Sequence, residues 1–418
     1  MTVSGMSRVS MVTAEAKMHA GRCFSSTPPR PAHRASPCTQ RGPARPSKHQ
    51  RPRSFSVNGT SKLSERETAG STKDASPFTV GRLFTLTTWL LEQEKREVID
   101  SEVAIVISSI ALACKQIASL VNRAGISNLT GLAGAANQSG EDQKKLDVVA
   151  NDVFANCLRS TGRIGTLASE EEDVPVSVEG SYSGDYIVVF DPLDGSSNID
   201  AGISVGSIFG VYDPSEECRV DELDDAEEVL NKCVLNVCKA GSELLVAGYC
   251  LYSSSTVLVL TVGDGVVGFT FDALVGEFIL SHPDIKVPDK GKIYAFNEGN
   301  YGRWEQGVKD YIDSLKDESK WGGTPYSARY IGSLVGDFHR TLLYGGIYGY
   351  PADTKNKTGK LRLLYECAPM SYLAEQAGGL GSTGTQRVLD LVPEKIHQRV
   401  PLFCGSKSEV EYLESFFK

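Results

Sequence analysis

From Thr79 onward the apolar residues fall into helical spacing. Leu83, Leu86, Leu90 and Leu91 share one face, and the pattern continues through Val98 and from Val103 to Leu120 as a long amphipathic segment. Such helices are expected to pack on one another or on a sheet. Gly125 closes the run, and residues 128–140, rich in Gly and Asn, read as a loop. Lys144 to Phe154 is helical in period again. Ile164 to Leu167 then leads into Ser169 and four consecutive acids, Glu170, Glu171, Glu172 and Asp173. These fit either a solvated loop or metal ligands at a strand end.

Tyr186 to Phe190 is a short β-branched run that reads as a buried strand. It enters Asp191-Pro192-Leu193-Asp194-Gly195-Ser196-Ser197-Asn198-Ile199-Asp200. Pro192 removes a backbone donor and is expected to stop the strand. Gly195 allows a tight turn, and Ser196 to Asn198 suit a helix cap that offers amides to an anion. The plain alternative is an Asp-Pro turn with an Asx cap. Val205 to Tyr212 is a second strand. Glu243 to Ser254, Val257 to Val262, Val266 to Asp272 and Glu277 to Ser281 form an expected antiparallel meander, with Gly263-Asp264-Gly265 as a hairpin turn. Residues 305–318 and Tyr330 to Tyr344 read as helices, the second carrying Asp337, His339 and Arg340. After a Gly/Tyr-rich loop, a helix runs to about Gln376 and a last α/β unit to Lys418. No internal repeat, P-loop, GxGxxG or heptad array is present.

The charge is uneven. Residues 1–75 hold 13 Lys and Arg against 4 Asp and Glu, a balance of +9, and with −9 for the whole chain the remainder carries −18. The opening is basic, hydroxyl-rich and nearly free of acids, the composition of an organelle transit peptide, and it lacks the apolar core of a secretory signal. A disordered basic arm is the alternative. The acidic remainder argues against nucleic acid as a partner. The longest apolar runs, such as Val103 to Cys114, read as too short or too interrupted to span a membrane.

Glu170, Glu171, Asp191, Asp194 and Glu366 all lie near predicted element ends. Mg²⁺ takes hard oxygen donors and keeps some waters, so a site for two or three ions needs that many carboxylates. HExxH is absent and three His follow residue 75, which disfavours a zinc hydrolase; no GxSxG nucleophile elbow exists either. Metal-activated water is the economical nucleophile. Arg329, Arg340, Lys360 and Arg362 sit in Tyr-rich surroundings and suit phosphate clamping, or ordinary surface ion pairs. Asp147 alone carries no signal.

Of ten cysteines, Cys114, Cys157, Cys367 and Cys404 sit in apolar contexts as buried thiols, and Cys23 and Cys38 fall in the basic opening. Cys218, Cys233 and Cys238 cluster around a stretch, Asp213 to Glu228, in which nine of sixteen residues are acidic. No fourth ligand lies near for zinc, so a switchable disulfide closing an exposed loop is the better reading.

Several stretches together resemble the fructose-1,6-bisphosphatase family: the Asp191 to Asp200 run, Ser169-Glu170-Glu171, Asn297-Glu298-Gly299-Asn300-Tyr301, Ala328-Arg329-Tyr330-Ile331-Gly332-Ser333, Asp337-Phe338-His339-Arg340-Thr341-Leu342 and Gly359-Lys360-Leu361-Arg362-Leu363-Leu364-Tyr365-Glu366. The transit-like start and the Cys218/Cys233/Cys238 insertion resemble its redox-regulated chloroplast form. The resemblance spans roughly residues 78–418. It implies an α/β fold of layered α+β type, the sugar-phosphatase αβαβα sandwich. It implies domains at 76–283 (metal-binding and regulatory, with redox loop 213–238) and 284–418 (substrate-binding), after a transit segment 1–75. It implies Mg²⁺-dependent hydrolysis of the 1-phosphate of fructose 1,6-bisphosphate in the chloroplast stroma, for the Calvin cycle and starch synthesis.

Carried over, the metal ligands are Glu170, Glu171, Asp191, Asp194, Glu366 and the Leu193 carbonyl, for two to three Mg²⁺ per subunit. Asp147 and Glu171 activate water. Gly195, Ser196, Ser197, Asn297, Tyr301, Tyr330, Tyr350, Lys360 and Arg362 bind substrate, with Arg329 reaching in from a neighbour in a homotetramer. The redox pair is Cys218 and Cys233, with Cys238 as alternate, reduced by an f-type thioredoxin. Oxidation is expected to shift the register of the strand pair at Val205 to Tyr212 and to displace Glu170 and Glu171. Sedoheptulose-1,7-bisphosphatase or an inositol phosphatase relative shares the metal chemistry, and a redox-sensing protein without catalysis is the alternative of another class.

Cytosolic animal members bind inhibitory AMP through a Gly-Thr-Gly-Glu-Leu-Thr-like segment and a Lys-Tyr pair. Here the segment reads Arg96-Glu97-Val98-Ile99-Asp100-Ser101, and Asp185 stands at the Lys position. An acid there repels phosphate. AMP is therefore expected to inhibit weakly or not at all in a phosphate-release assay; strong inhibition by micromolar AMP would refute this.

Overall fold

Helices begin where side chains can cap them. α1 (Leu86–Lys95) starts at Thr85, whose hydroxyl accepts from the Thr88 amide at 3.2 Å. α2 (Ser101–Val121) starts at Asp100, which accepts from the Val103 amide at 2.8 Å. In α3 (Lys145–Arg159) Asp147 folds back onto the Lys144 amide. The computed structural model describes residues 83–136, 142–178, 186–213 and 233–417, all within one unit, Lys73–Lys418. The basic opening, Asp185 and the insertion with Cys218 lie outside the described residues.

By length and composition α2 is apolar enough to cross a membrane, longer than its interrupted sequence suggests. Within Val103 to Cys114 the interruptions are Ser108 and Ser109, and Ser108 donates to the Ala104 carbonyl at 2.8 Å; beyond them Lys115 pairs with Glu277 at 2.8 Å. Its stripe of Val103, Val106, Ile107, Ile110, Cys114 and Ile117 lies in the core. The Gly-rich stretch expected as loop contains β1 (Leu132–Ala136), paired antiparallel with β2 (Asp142–Lys144). A strand of Leu, Ala and Gly lacks the β-branched signature that marks strands in sequence.

Among the described residues, eight strands form one sheet in the order β10-β9-β8-β7-β6-β5-β3-β4. They are β3 (Ile164–Ser169), β4 (Val176–Ser177), β5 (Tyr186–Asp194), β6 (Val205–Tyr212), β7 (Leu244–Tyr252), β8 (Thr256–Thr261), β9 (Val267–Asp272) and β10 (Glu277–His282). β3 runs parallel to β5, and the other neighbours are antiparallel, as the expected meander requires. The following strands are β11 (Ile293–Phe296), β12 (Ser327–Ala328), β13 (Ile347–Tyr350), β14 (Leu361–Arg362), β15 (Leu380–Ser382), β16 (Arg399–Val400) and β17 (Leu402–Gly405). A second sheet has the order β12-β11-β13-β17-β15, and β14 pairs with β16.

Four more helices cover these sheets: α4 (Gln306–Lys316), α5 (Leu334–Tyr344), α6 (Ala368–Gln376) and α7 (Lys407–Glu414). The segment before α5 is extended rather than helical, because Gly332 takes φ +89° and Ser333 caps the helix. α1 to α3 pack on one face of the large sheet, and α5 and α6 lie between its other face and the small sheet. α4 and α7 close the outer face of the small sheet. This is the expected αβαβα layering. Both faces of β5 are therefore covered, which accounts for its unbroken apolar run. Val188 and Phe190 point to the α2–α3 side, Ile187 and Val189 to the α5–α6 side.

Phe190 stacks on Phe154 of α3 with centroids 5.0 Å apart, and both rings are fully buried. Phe154→Ala is expected to cost about 3–5 kcal/mol in urea unfolding. A loss below about 1 kcal/mol would show that this contact does not hold β5.

Candidate active site and metal centre

β5 and β6 pair regularly from Ile187 opposite Tyr212 to Asp191 opposite Ile208, and then the register slips so that Asp194 lies opposite Gly206. Four residues of β5 thus face three of β6, a β-bulge. In a regular strand residues three apart point to opposite faces. The extra residue restores the parity and brings Asp191 and Asp194 together. Their carboxylates and that of Glu366 have oxygens within 4.8 Å of one another, all buried. β5 does not stop at Pro192: the bulge takes that residue out of the ladder, so its missing N–H costs nothing there.

Each carboxylate is fixed by a backbone amide. Asp191 accepts from Leu193 N at 2.9 Å. Asp194 sits at the N-terminus of α5, accepting from Val335 N at 2.9 Å, Leu334 N at 3.3 Å and the Ser333 hydroxyl at 2.7 Å. Glu366 lies in a π turn, Leu363–Cys367, and accepts from Arg362 N at 2.6 Å. Asp147 accepts from Lys144 N at 2.8 Å. Gly195 turns the chain at φ +73°, and a Cβ there would lie 2.8 Å from Ser333 Cβ.

The four acids after Ser169 divide. Glu170 and Glu171 line the cleft; Glu172 and Asp173 are exposed. Ser169, buried, donates to Asn151 at 2.6 Å and accepts from the Glu171 amide at 3.2 Å, while Asn151 donates to Glu172 at 2.8 Å. Leu193, Gly195, Ser196 and Ser197 line the same cleft, faced by Tyr330, Tyr350 and Lys360. Lys360 Nζ lies 5.9 Å from the Tyr350 ring centroid. Arg362 is buried and turned onto the acids: its Nη1 is 2.6 Å from Glu170 and 3.9 Å from Glu366.

Asn297 reaches the cleft through the Tyr330 side chain. Tyr301 does not line it; its hydroxyl donates to Asp313 at 2.7 Å. Arg329 is exposed and contacts its own chain at the Ala328 carbonyl, and Arg340 pairs with buried Asp337 at 2.6 Å. Ser333, Leu334 and Tyr348 join the site without having been expected there; the Ser333 cap ahead of an apolar helix was the available signal. Cys233 is buried against the hydroxyls of Thr166 and Ser177, and Cys238 is half-buried. Burial pushes both thiols above their ordinary range.

Crowding buried acids raises their pKa. Burial lifts Asp147 to about 6, against the Lys144 amide and the Ser196 hydroxyl. It lifts Asp194 to about 6 despite three hydrogen bonds, and Glu366 to about 8 despite Arg362. Asp191 is raised strongly, first by burial and then by Glu170 and Asp194. All-oxygen donors with this excess negative charge fit a hard divalent cation such as Mg²⁺.

Two family models match the chain: fructose-1-6-bisphosphatase, N-terminal domain, over residues 84–283 and fructose-1-6-bisphosphatase, C-terminal domain, over 287–418. A wheat (Triticum aestivum) protein named fructose-1,6-bisphosphatase, chloroplastic, is 66% identical over 334 residues, 80% of this chain and 81% of its own length. The spinach (Spinacia oleracea) protein of the same name is 66% identical over 336 residues, 79% of this chain and 81% of its own. The structure of Leishmania major fructose-1,6-bisphosphatase in holo form is 43% identical with TM-score 0.75, covering 80% of this chain and 99% of its own.

Carboxyls with raised folded-state pKa favour the fold below their ordinary range, near pH 4, and lose that contribution as pH rises through the shifted values, to about 8 for Glu366. The melting temperature of chelator-treated protein is therefore expected to fall from pH 5 to pH 8, and added Mg²⁺ to restore more at pH 8 than at pH 5. A flat profile with a pH-independent Mg²⁺ effect would contradict this electrostatic account.

Proposed function

The chain belongs to the fructose-1,6-bisphosphatase family, and on that premise we propose that it hydrolyses the 1-phosphate of fructose 1,6-bisphosphate, with Mg²⁺, in the chloroplast stroma, serving the Calvin cycle and starch synthesis. The products are fructose 6-phosphate and phosphate. The observation that carries this reading is the joining of Asp191, Asp194 and Glu366 within 4.8 Å, in one cleft with Asp147, Tyr330 and Lys360. The chloroplastic names of the relatives support the location.

Glu170, Glu171, Asp191, Asp194, Glu366 and the Leu193 carbonyl would hold two to three Mg²⁺ per subunit. Bound Mg²⁺ supplies charge neutralisation at phosphate and lowers the pKa of water. Asp147, its carboxyl raised to about 6, sits near working pH and takes the proton of the attacking water together with Glu171. The amides of Gly195 and Ser196 receive charge on the 1-phosphate. Ser197, Tyr330, Tyr350 and Lys360 line the space for the sugar and the 6-phosphate, with Asn297 orienting Tyr330. Arg362 lines the cleft beside them and also holds Glu170. Arg329, exposed, is free to serve a neighbouring subunit of a homotetramer. The organisation is a transit segment 1–75, a metal-binding and regulatory domain 76–283 and a substrate domain 284–418.

Regulation rests on an f-type thioredoxin reducing a Cys218–Cys233 disulfide, with Cys238 as alternate. The acidic run steers a basic partner. Cys233 touches Thr166 on β3, three residues before Ser169 and the Glu170–Glu171 pair, so β3 offers a second path to those ligands beside the strand pair at Val205 to Tyr212.

The experiment is phosphate release from fructose 1,6-bisphosphate, sedoheptulose 1,7-bisphosphate and inositol phosphate, with Mg²⁺, with and without dithiol. The fructose substrate should be preferred and dithiol required. Glu366→Gln should lose about 100-fold or more, and Cys218→Ser should no longer need dithiol. Preference for another substrate refutes the assignment; a Cys218→Ser protein that still needs reduction refutes the regulation.

A further inference from the structure

The bulge that unites Asp191 with Asp194 interrupts the ladder. With four residues opposite three, Pro192 falls at the slip between the Asp191–Ile208 and Asp194–Gly206 pairs, where the regular ladder spacing is lost. Ser207 fills that gap. It is the β6 residue between Gly206 and Ile208, opposite the extra residue, and it is fully buried. Its hydroxyl donates to the Pro192 carbonyl at 2.7 Å. The same oxygen lies 2.8 Å from the Tyr252 hydroxyl on β7, which borders the buried thiols of Cys114 and Cys250.

The side from which Ser207 acts matters. Its β6 neighbours Val205, Phe209 and Val211 belong to the core beneath α1 to α3, as do Cys250 and Tyr252. Asp194 is held from the other side, at the N-terminus of α5. The bulge is thus pinned on both faces, by α5 amides at the carboxylate and by a buried hydroxyl pair at the peptide.

We propose that Ser207, backed by Tyr252, is a positioning residue for the metal carboxylates: its bond to the Pro192 carbonyl fixes the bulge that brings Asp191 and Asp194 to one side. This rests on the reading of those two residues as metal ligands. A polar hydroxyl pair inside an apolar sheet face is costly unless satisfied, and here each satisfies the other and the displaced peptide. Without the Ser207 hydroxyl the buried Pro192 carbonyl loses this bond. The Pro192–Leu193 peptide is then less restrained, and its rotation moves the Leu193 amide and with it the Asp191 carboxylate that accepts from that amide.

The test uses full-length, dithiol-reduced, metal-free protein. Mg²⁺ alone is titrated by calorimetry without substrate, and the Mg²⁺ half-saturation of phosphate release is measured beside it. Ser207→Ala is expected to weaken Mg²⁺ binding about fivefold, the ratio corresponding to one buried hydrogen bond, and to raise the half-saturation in step. KM for the substrate at saturating Mg²⁺ should stay within about twofold. Ser207→Thr, which keeps the hydroxyl, should recover affinity to within about twofold of the parent. Tyr252→Phe keeps the ring and the packing, should shift Mg²⁺ affinity in the same direction by about twofold, and decides the matter if Ser207→Ala fails to fold. Unchanged Mg²⁺ affinity in Ser207→Ala, or an equal loss in Ser207→Thr, overturns the proposal. Asp191→Asn separates the two readings. If it binds Mg²⁺ like the parent, the ligand assignment itself fails. If it loses Mg²⁺ while Ser207→Ala does not, the positioning role alone fails.

Discussion

The structure is built around a crowd of negative charge. Asp147, Asp191, Asp194 and Glu366 are buried beside Glu170, with Arg362 turned in among them. Burying an uncompensated carboxylate costs several kcal/mol. The fold meets this with backbone amides, one from a different segment for each of the four buried acids: Lys144, Leu193, Val335 and Arg362. Amide dipoles orient a carboxylate but add no net positive charge. The oxygens are therefore preorganised while the electrostatic deficit persists, and the acids either keep protons or wait for a cation. That is why the raised pKa values and the oxygen-only donor set describe one fact.

The layering serves this crowd. The acids come from residues 147–194 and 366, while the facing Tyr330, Tyr350 and Lys360 come from the later part of the chain. They meet where α5 and the π turn before α6 lie between the two sheets. A helix N-terminus aimed at Asp194 and a turn that directs Glu366 back to the Arg362 amide are both placed in that middle layer. Aromatic stacking of Phe154 on Phe190 ties α3, which carries Asp147, to β5, which carries Asp191. Packing below the cleft and geometry within it are thus the same set of constraints.

The strands with β-branched runs, the capped helices and the Asp191 to Asp200 stretch were legible from residue pattern. The pattern of four acids in a row carried no mark of which two turn inward; the Ser169-Glu170-Glu171 resemblance picked out Glu170 and Glu171, which line the cleft while Glu172 and Asp173 are exposed. The bulge was illegible for a different reason. Pro192 signals the end of a strand, and only the β6 register shows the strand passing through it. Ser207 left no signal because a lone hydroxyl in an apolar run looks like a neutral interruption. For Arg362 the sequence did not show its internal partner: it is buried beside Glu170 while lining the cleft. Pairwise meetings across the fold are what a linear pattern omits.

The same contrast bears on how an effect at Cys233 reaches the carboxylates. β6 is held along its whole length between β5 and β7, with eight residues paired to β7 and the bulge pinned by Ser207. Shifting its register would break both ladders at once. β3 is bound more lightly: parallel to β5 on one side, and paired to the two residues of β4 on the other. Cys233 rests on Thr166 of β3 and on Ser177 of β4, so tension on that cysteine loads the sheet edge directly. β3 ends at Ser169, whose hydroxyl accepts from the Glu171 amide and donates to Asn151. The Glu170 amide donates to the Phe190 carbonyl at 3.2 Å, so a displacement of β3 would act first on Glu170 and Glu171.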